Sequence, residues 1–328
     1  MILRSIARRF GLGRLVYDLW YRPVGAIRQS IAAGGPFEQW RDRQAHAAMT
    51  AAAVQLRPQN LPTATDWPEV HFLTGKKFWD QTALCLYSLQ HQTGRALTAV
   101  FHDDGSASDE MVARLAHLFP QARWHRQADI VARLDAHLPV ARFPVLRERW
   151  AAYPNIRKLT DVHAGSRGWK LVLDSDMLFF RRPDFLLAWL AAPTRPLHLV
   201  DVQNSYGYSP ALMQSLAGAP IPPRVNVGIT GLASEALDWD RLERWCRELM
   251  AAEGPSYYLE QALIAMSVAG QDCAVAAAAD YVVLPDEAEC RHPRAVLHHY
   301  VAGSKRWYFR ETWRHAATLP PAATPDFL

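Results

Sequence analysis

The chain has 328 residues, half of them hydrophobic and 21% charged, which is typical of a globular protein with one large domain or two small ones. The net charge of +4 is concentrated in residues 1–35, where six arginines stand against one acid. Because the rest of the chain is close to neutral, we exclude a nucleic-acid-binding surface over the whole protein and expect no nucleic-acid partner. The four cysteines form no Cys-x-x-Cys pair. They indicate neither a zinc site nor a disulfide framework, so we expect a reducing, cytoplasmic location.

The first segment, residues 1–35, combines arginines with apolar residues at helical spacing and predicts a basic amphipathic helix. Asp18 and Arg22 interrupt its apolar residues, so we expect no secretory signal. No run of about 18 apolar residues occurs, so we also expect no membrane-spanning helix. Two alternatives are open for this helix. In the first, residues 1–30 contact the inner face of the membrane peripherally. In the second, the helix packs on the body of the protein or against another subunit.

Residues 36–67 predict a polar, Ala-rich helix and then a linker that contains prolines. The predicted domains are therefore a helical extension over residues 1–67 and a catalytic domain over residues 68–328. Strand and helix patterns alternate in the second of these: strands at 70–75, at 97–102, around Trp124 and at 170–176, a helix at 78–91, and helical stretches between 109 and 165. Such alternation predicts a mostly parallel α/β sheet, whose ligands bind outside the C-terminal ends of the strands.

The most informative motif is the pair Asp174 and Asp176, which follows the apolar residues 171–173 and precedes another apolar run. A continuous apolar run predicts a fully buried strand. Two acids at its end are costly unless they are paired, hydrogen-bonded or holding a cation. Side chains at positions i and i+2 of an extended segment point to the same side. The pair therefore predicts a site for Mg²⁺ or Mn²⁺ that carries a diphosphate, and solvated acids at a strand end are the open alternative.

Four further motifs follow in the chain: Asn226 and Gly228 in a short strand, Glu260 and Gln261 at a helix start, His298 and His299 at a strand end, and Lys305. Each motif has an ordinary structural explanation. An Asn-x-Gly sequence is a turn signal, an acid near a helix start interacts favourably with the helix dipole, and a lysine is usually a surface charge. Because neighbouring residues on a strand point to opposite sides, we expect at most one of the two histidines to face a site.

Taken together and in this order, the motifs resemble those of the GT-A glycosyltransferases, in particular the retaining group that includes glycogenin and bacterial lipopolysaccharide galactosyltransferases. That group carries an Asp-x-Asp, an Asn-Ser-Gly, an Asp-Gln and a late His-x-x-Gly-x-x-Lys-Pro-Trp. Here the Asp-Ser-Asp is intact, Asn226-Val227-Gly228 keeps the Asn and the Gly, and Glu260-Gln261 keeps the amide and lengthens the acid. The last motif keeps its outer spacing in His299, Lys305 and Trp307, while its Gly has moved to Gly303 and Arg306 replaces the Pro. The resemblance covers about residues 69–313.

This resemblance implies a GT-A fold, which is a Rossmann-like α/β domain with a mostly parallel central sheet and flanking helices. In this chain it would be a single catalytic domain with a helical N-terminal extension. The implied activity is metal-dependent transfer of a sugar from a nucleoside-diphosphate sugar, with a UDP-sugar favoured, to a glycan or lipid-linked acceptor. Retention of the anomeric configuration is implied as well, and a growing surface polysaccharide is one acceptor of this kind.

The resemblance also implies roles for individual residues. Asp174, Asp176 and His299 would ligate Mn²⁺ or Mg²⁺, and Lys305 would contact the diphosphate. Asn226, Glu260 and Gln261 would hydrogen-bond the hydroxyls of the donor sugar and so form the catalytic set. The predicted nucleotide-binding set also includes Thr74, Asp103 or Asp104, Lys158 and Gly228.

Three other functions stay open. A haloacid-dehalogenase-type phosphatase also places Asp-x-Asp after a buried strand, but Leu178 stands where its motif has Thr or Val. A sugar-nucleotide nucleotidyltransferase would need a Gly-rich loop, and Lys76 and Lys77 follow Gly75 without one. A non-catalytic glycan-binding protein would have no need for the intact acids and the late His and Lys.

Overall fold

The computed structural model describes residues 35–64 and 67–319. The chain divides into two compact units, residues 1–51 and residues 52–328. Helix α1 (Gly35–Gln55) contains the described part of the first unit and confirms the helix predicted after residue 36. The predicted amphipathic helix and the membrane contact of residues 1–30 lie outside the described residues. Among the helices that the structure does describe, none is long and apolar enough to cross a membrane.

Short strands and helices alternate through the second unit. Its elements are β1 (Thr63–Ala64), β2 (Val70–Thr74), α2 (Trp79–Thr93), β3 (Ala96–Leu97), β4 (Ala99–Asp103), α3 (Asp109–Leu118), β5 (Arg123–His125), α4 (Gln127–His137), α5 (Pro144–Ala152), α6 (Arg157–His163), β6 (Trp169–Leu173), β7 (Met177–Phe179), α7 (Asp184–Ala191), β8 (Leu197–Val200), α8 (Pro210–Ala217), β9 (Val225–Ala233), α9 (Trp239–Glu253), α10 (Leu259–Ser267), β10 (Ala274–Val275), β11 (Tyr281–Val283), α11 (Glu287–Arg291), β12 (Leu297–His299), α12 (Lys305–Trp307) and α13 (Trp313–Ala317). A π-helical turn, Tyr308–Thr312, joins the last two helices.

The central sheet has seven strands in the order β10-β8-β9-β6-β2-β4-β5. The adjacent pairs β6–β2, β2–β4 and β4–β5 are parallel, and so is the pair β10–β8. Strand β9 is antiparallel to both β6 and β8. The sheet is therefore mostly parallel, as predicted. The predicted strands around residues 70, 100, 124 and 170 are its β2, β4, β5 and β6.

A small second sheet brings the late histidine motif next to the acid pair. It has the order β11-β12-β7, and β12 pairs antiparallel with β7 so that His299 lies opposite Met177. The backbone N–H of Tyr300 then donates to the backbone carbonyl of Asp176 at 2.9 Å. This pairing brings a histidine that is distant in sequence to the turn that carries the acid pair.

Helix α10 is held by an apolar cluster that it shares with α9 and β9. Leu259 and Leu263 of this helix are fully buried in one cluster with Leu249 of α9 and Val225 of β9. Burial of a side chain of this size stabilises the fold by roughly 1.5–3 kcal/mol. The packing fixes the first turn of α10, which carries Glu260 and Gln261, at the C-terminal edge of the sheet.

Candidate active site

The two acids lie in the turn between β6 and β7, where β6 ends. The backbone N–H of Asp174 donates to the carbonyl of Gly228 in β9 at 2.8 Å, which fixes the start of the turn. The carboxylates converge on one imidazole: Nε2 of His299 lies 3.6 Å from Oδ2 of Asp174 and 3.4 Å from Oδ1 of Asp176. The predicted convergence of the two acids is thus present, although a turn and not an extended strand produces it.

The tautomer of His299 follows from its hydrogen-bond network. Oδ1 of Asn226 accepts from the N–H of Gly228 at 3.0 Å, and Nδ2 of Asn226 donates to Asp201 at 3.3 Å. Nδ1 of His299 lies 3.1 Å from the same Oδ1, so Nδ1 must carry the hydrogen and donate it. Nε2 is then left with its lone pair. It is buried and has no hydrogen-bond partner among the described residues.

An unpartnered nitrogen between two carboxylates fits a divalent cation. One ligand atom each from Asp174, Asp176 and His299 lie within 4.8 Å of one another. A buried polar atom without a partner is costly, and a bound cation would satisfy it. Two hard oxygens with one imidazole nitrogen form a mixed donor set. Such a set suits Mn²⁺ better than Mg²⁺, which prefers oxygen ligands alone.

Two lysines flank the acid pair. Nζ of Lys158 lies 2.5 Å from Oδ1 of Asp174 and 3.3 Å from Oε1 of Glu260, and Nζ of Lys305 lies 2.9 Å from Oδ2 of Asp176. Burial opposes the charged form of Lys158, but Asp174 and Glu260 outweigh it and raise its pKa. The pKa of Lys305 is raised in the same way, against burial, by Asp176. Both lysines are therefore cationic at neutral pH.

The acids of the site differ in charge. Burial works to raise the pKa of Asp176, but the positive charge and hydrogen bond of Lys305 act in the opposite direction, and the pKa lies well below its usual range. Burial raises the pKa of Glu260 to about 8, and Asp174 adds to this while Lys158 opposes it. Asp176 is thus ionised at neutral pH, whereas Glu260 is largely protonated. A protonated carboxyl group donates as well as accepts hydrogen bonds.

Two adjoining cavities open at this edge of the sheet, one of about 400 Å³ and one of about 170 Å³. The larger volume lies in the usual range for small-molecule sites. Both cavities are lined by Asn155, Lys158, Asp174, Asp176, Tyr257 and Lys305. The larger one is also lined by Asp201, Asn226, Glu260, Gln261 and His299, and the smaller one by Leu73, Phe78, Asp104 and Ser175.

Three predicted nucleotide-binding residues lie behind the cavity walls. Oγ1 of Thr74 is buried at 2.8 Å from Oγ1 of Thr82. Oδ1 of Asp103 accepts from two backbone amides of the loop that follows β4. Gly228 makes room for His299, because a Cβ at this position would lie 2.4 Å from the imidazole ring. None of the three lines either cavity, so their contact with a nucleotide stays a prediction.

The two late histidines point to opposite sides of β12. His298 is fully buried, with Nε2 at 3.0 Å from Oε1 of Glu289 and Nδ1 at 2.9 Å from the hydroxyl of Tyr300. Both of its nitrogens are therefore occupied away from the acid pair. The open choice between His298 and His299 is decided in favour of His299.

Sequence reasoning missed Asp201, which lies directly after β8 and lines the larger cavity. The signal was present, because Asp201 ends an apolar strand as Asp174 does. It also missed part of the wall of the larger cavity, where Leu284 and Ala302 have φ angles of 58° and 45°. Residues other than glycine are strained in this region, and such strain is often found at functional sites.

No protein-family model matches the sequence, and the search of curated proteins gives no match. Solved structures do match. The galactosyltransferase LgtC, in complex with donor and acceptor sugar analogues, aligns with 79% of this chain and 98% of its own at a TM-score of 0.51 and 14% identity. An apo structure of the bifunctional glycosyltransferase WbbM aligns with 79% of this chain and 51% of its own at a TM-score of 0.50 and 11% identity.

The chain has the GT-A glycosyltransferase fold. The fold predicted from the ordered motifs is therefore confirmed. In this fold the acid pair, the late histidine and both lysines lie at the C-terminal edge of the parallel strands, which is where ligands of open α/β sheets bind.

Proposed function

We propose that this protein is a metal-dependent glycosyltransferase that moves a sugar from a nucleoside-diphosphate sugar to a glycan or lipid-linked acceptor, with retention of the anomeric configuration. The observation that carries the proposal is the unpartnered Nε2 of His299 between Asp174 and Asp176. This cluster opens into a cavity that also holds two cationic lysines. An anionic substrate that brings its own oxygen ligands to a metal fits such a cavity.

Asp174, Asp176 and His299 would hold Mn²⁺ or Mg²⁺. When bound, the ion would supply positive charge next to a diphosphate whose negative charge increases as it leaves the sugar. Lys158 and Lys305 would add to this charge from the protein side. Each lysine lies against one metal-site carboxylate, so each is held where phosphate oxygens on a bound metal would arrive.

The two cavities suggest how a donor lies in the site. The diphosphate would occupy the boundary that both cavities share, at Lys158 and Lys305. The nucleoside would lie in the smaller cavity beside Phe78 and Asp104, where an aromatic face and a carboxylate suit a base and a ribose. The sugar would lie in the larger cavity.

The sugar would meet Glu260 and Gln261 at the start of α10, both of which line the larger cavity. The protonated form of Glu260 suits a contact with sugar hydroxyls, since it both donates and accepts. Retention rests on the resemblance of the ordered motifs to the retaining group. A UDP-sugar as donor, a surface polysaccharide as acceptor, the cytoplasmic location and the membrane contact of residues 1–30 rest on the sequence alone.

Slow hydrolysis of the donor tests the proposal without a known acceptor. The protein with Mn²⁺ is incubated with UDP-, GDP-, CMP- and dTDP-sugars, and sugar release is followed by ¹H NMR. We expect release from one nucleotide class, with the anomer of the donor appearing first, and at least a hundredfold less release by Asp174→Asn and Asp176→Asn. Release of the opposite anomer would contradict retention. Equal release by wild type and both variants would contradict the metal-dependent mechanism.

A further inference from the structure

We infer that Asp201 is a positioning residue, whose carboxylate determines which end of the Asn226 amide and of the Gln261 amide faces the site. Through Asn226 it also fixes the tautomer of His299. The inference deepens the proposed function and rests on the metal site that this function includes. Asp201 was not among the predicted site residues, and its role does not require contact with the substrate.

The contacts of Asp201 use both carboxylate oxygens. Oδ2 accepts from Nδ2 of Asn226 at 3.3 Å and from Nε2 of Gln261 at 3.2 Å, and Oδ1 accepts from the N–H of Val202 at 2.7 Å. The residue is 8% exposed, so water competes little for these bonds. The carboxylate lies directly after β8, whose pairing with β9 places it beside Asn226.

Oδ2 of Asp201 accepts both side-chain hydrogen bonds, and an acceptor oxygen is met by the NH₂ end of an amide and not by its carbonyl oxygen. Asn226 and Gln261 must therefore both turn their NH₂ groups toward Asp201. For Gln261 this leaves Oε1 as the atom available to the cavity, so it acts as an acceptor there. For Asn226 it leaves Oδ1 facing the N–H of Gly228 and Nδ1 of His299.

The orientation of Asn226 decides whether His299 can bind a metal. With Oδ1 toward the ring, Nδ1 carries the hydrogen and Nε2 presents a lone pair to Asp174 and Asp176. If the amide were turned over, its NH₂ group would face Nδ1, and the hydrogen of the imidazole would move to Nε2. That hydrogen would point at the metal position, and the third ligand would be lost.

The variant Asp201→Asn tests this chain of contacts, because it keeps the size of the side chain and places an NH₂ group where Oδ2 was. We expect Mn²⁺ affinity, measured by EPR titration of free Mn²⁺, to fall about 10- to 100-fold, as is typical when the partner of a metal-binding histidine is removed. In metal-free protein, ¹⁵N NMR of the His299 ring should show the hydrogen on Nδ1 in wild type and on Nε2 in the variant.

A second substitution should restore the metal site. In Asp201→Asn combined with Asn226→Asp, the new amide can donate to the new carboxylate, whose other oxygen again accepts from Gly228 and His299. We expect Mn²⁺ affinity to return to within about threefold of wild type. Gln261 would still face an NH₂ group and turn over, so sugar release should stay at least tenfold below wild type. Restored metal binding separates positioning from simple damage to the fold.

Glu243→Gln is the matched control. Glu243 is also buried, accepts backbone N–H groups at 3.1 and 2.9 Å, and lines neither cavity. The variant Glu243→Gln should therefore leave Mn²⁺ affinity and the His299 tautomer unchanged.

Wild-type Mn²⁺ affinity and an unchanged tautomer in Asp201→Asn would overturn the inference while leaving the metal site intact. If wild type binds no Mn²⁺, the proposed function fails, and the tautomer in the metal-free proteins still decides the role of Asp201.

Discussion

Nζ of Lys158 lies 2.5 Å from Oδ1 of Asp174, on the carboxylate oxygen that does not face His299. Asp174 thus divides its oxygens between a lysine and the proposed metal. The same ammonium group lies 3.3 Å from Oε1 of Glu260. One lysine therefore connects the metal ligands to the residues that would hold the sugar.

Replacing this lysine should destabilise the protein. Lys158→Met would leave the carboxylate of Asp174 without its cation, and removal of one partner from a buried ion pair costs about 3–5 kcal/mol. We expect the free energy of unfolding in urea, at pH 7 with EDTA, to fall by about 3 kcal/mol. Lys76→Met, at an exposed position, should change it by less than about 0.5 kcal/mol. Equal stabilities for the two variants would show that Lys158 is not needed to hold the acids.

The pKa of Glu260 predicts a pH dependence of stability. Its ordinary value of 4.5 is raised to about 8 by burial in the folded protein. Between these values the folded state holds a proton that the unfolded state has released, so the free energy of unfolding falls as the pH rises. Glu260→Gln cannot ionise and lacks this fall.

We therefore expect the stability of Glu260→Gln relative to wild type to increase between pH 5 and pH 8, by at most about 1.4 kcal/mol for each unit of pKa shift. Urea unfolding at both pH values, with EDTA present, measures the difference. A constant difference between the variant and wild type would mean that Glu260 is ionised in the folded protein.

Gly228 tests the space behind His299. In Gly228→Ala the new Cβ would lie 2.4 Å from the imidazole ring, so the ring must leave its present position beside the acid pair. We expect Mn²⁺ affinity to fall at least tenfold. Gly303→Ala is the matched control, since a Cβ there meets nothing within 4 Å, and it should bind Mn²⁺ as wild type does. If both variants bind Mn²⁺ equally, the position of His299 is not critical for the site.

The positions of the strands that carry the site could be predicted from the sequence. The directions in which their side chains point could not. Strand β6 and the acids after it could be found because a continuous apolar run that ends in acids is a local pattern. Thr74 and Asp103 were placed at the correct edge of the sheet, but Thr74 turns inward to Thr82 and Asp103 folds onto its own loop. Such turns depend on neighbours that are distant in sequence.

Strand alternation alone could not choose between His298 and His299, although the resemblance of the late motif pointed to His299. Strand alternation shows that the two point to opposite sides, but only the pairing of β12 with β7 decides which side holds the acids. Asp201 could have been found from its apolar strand. Its link to Asn226 and Gln261 could not, because that link depends on how β8, β9 and α10 meet.

Buried histidines predict loss of stability in acid. Burial lowers the pKa of His163 to about 3, and those of His71 and His102 well below 6.5. Below pH 6.5 the unfolded chain binds protons at these positions that the folded protein does not, so the free energy of unfolding falls as the pH falls.

His163→Asn removes one such proton, so its stability should fall less steeply than that of wild type from pH 7 to pH 5 in urea unfolding. His117→Asn alters an exposed histidine and should keep the wild-type slope. A slope that is the same for His163→Asn and wild type would argue that His163 is protonated in the folded state.

The central claim is that Asp174, Asp176 and His299 hold a metal that binds a nucleoside diphosphate. Thermal unfolding of wild type and Asp176→Asn with UDP, GDP, CDP or dTDP, each with and without Mn²⁺, tests it most directly. A ligand at a hundredfold excess over its dissociation constant stabilises the folded state by about 2.7 kcal/mol. We expect one nucleotide, UDP, to raise the melting temperature of wild type only with Mn²⁺, and Asp176→Asn to show no such rise. No rise with any nucleotide, or an equal rise in the variant, would contradict the claim.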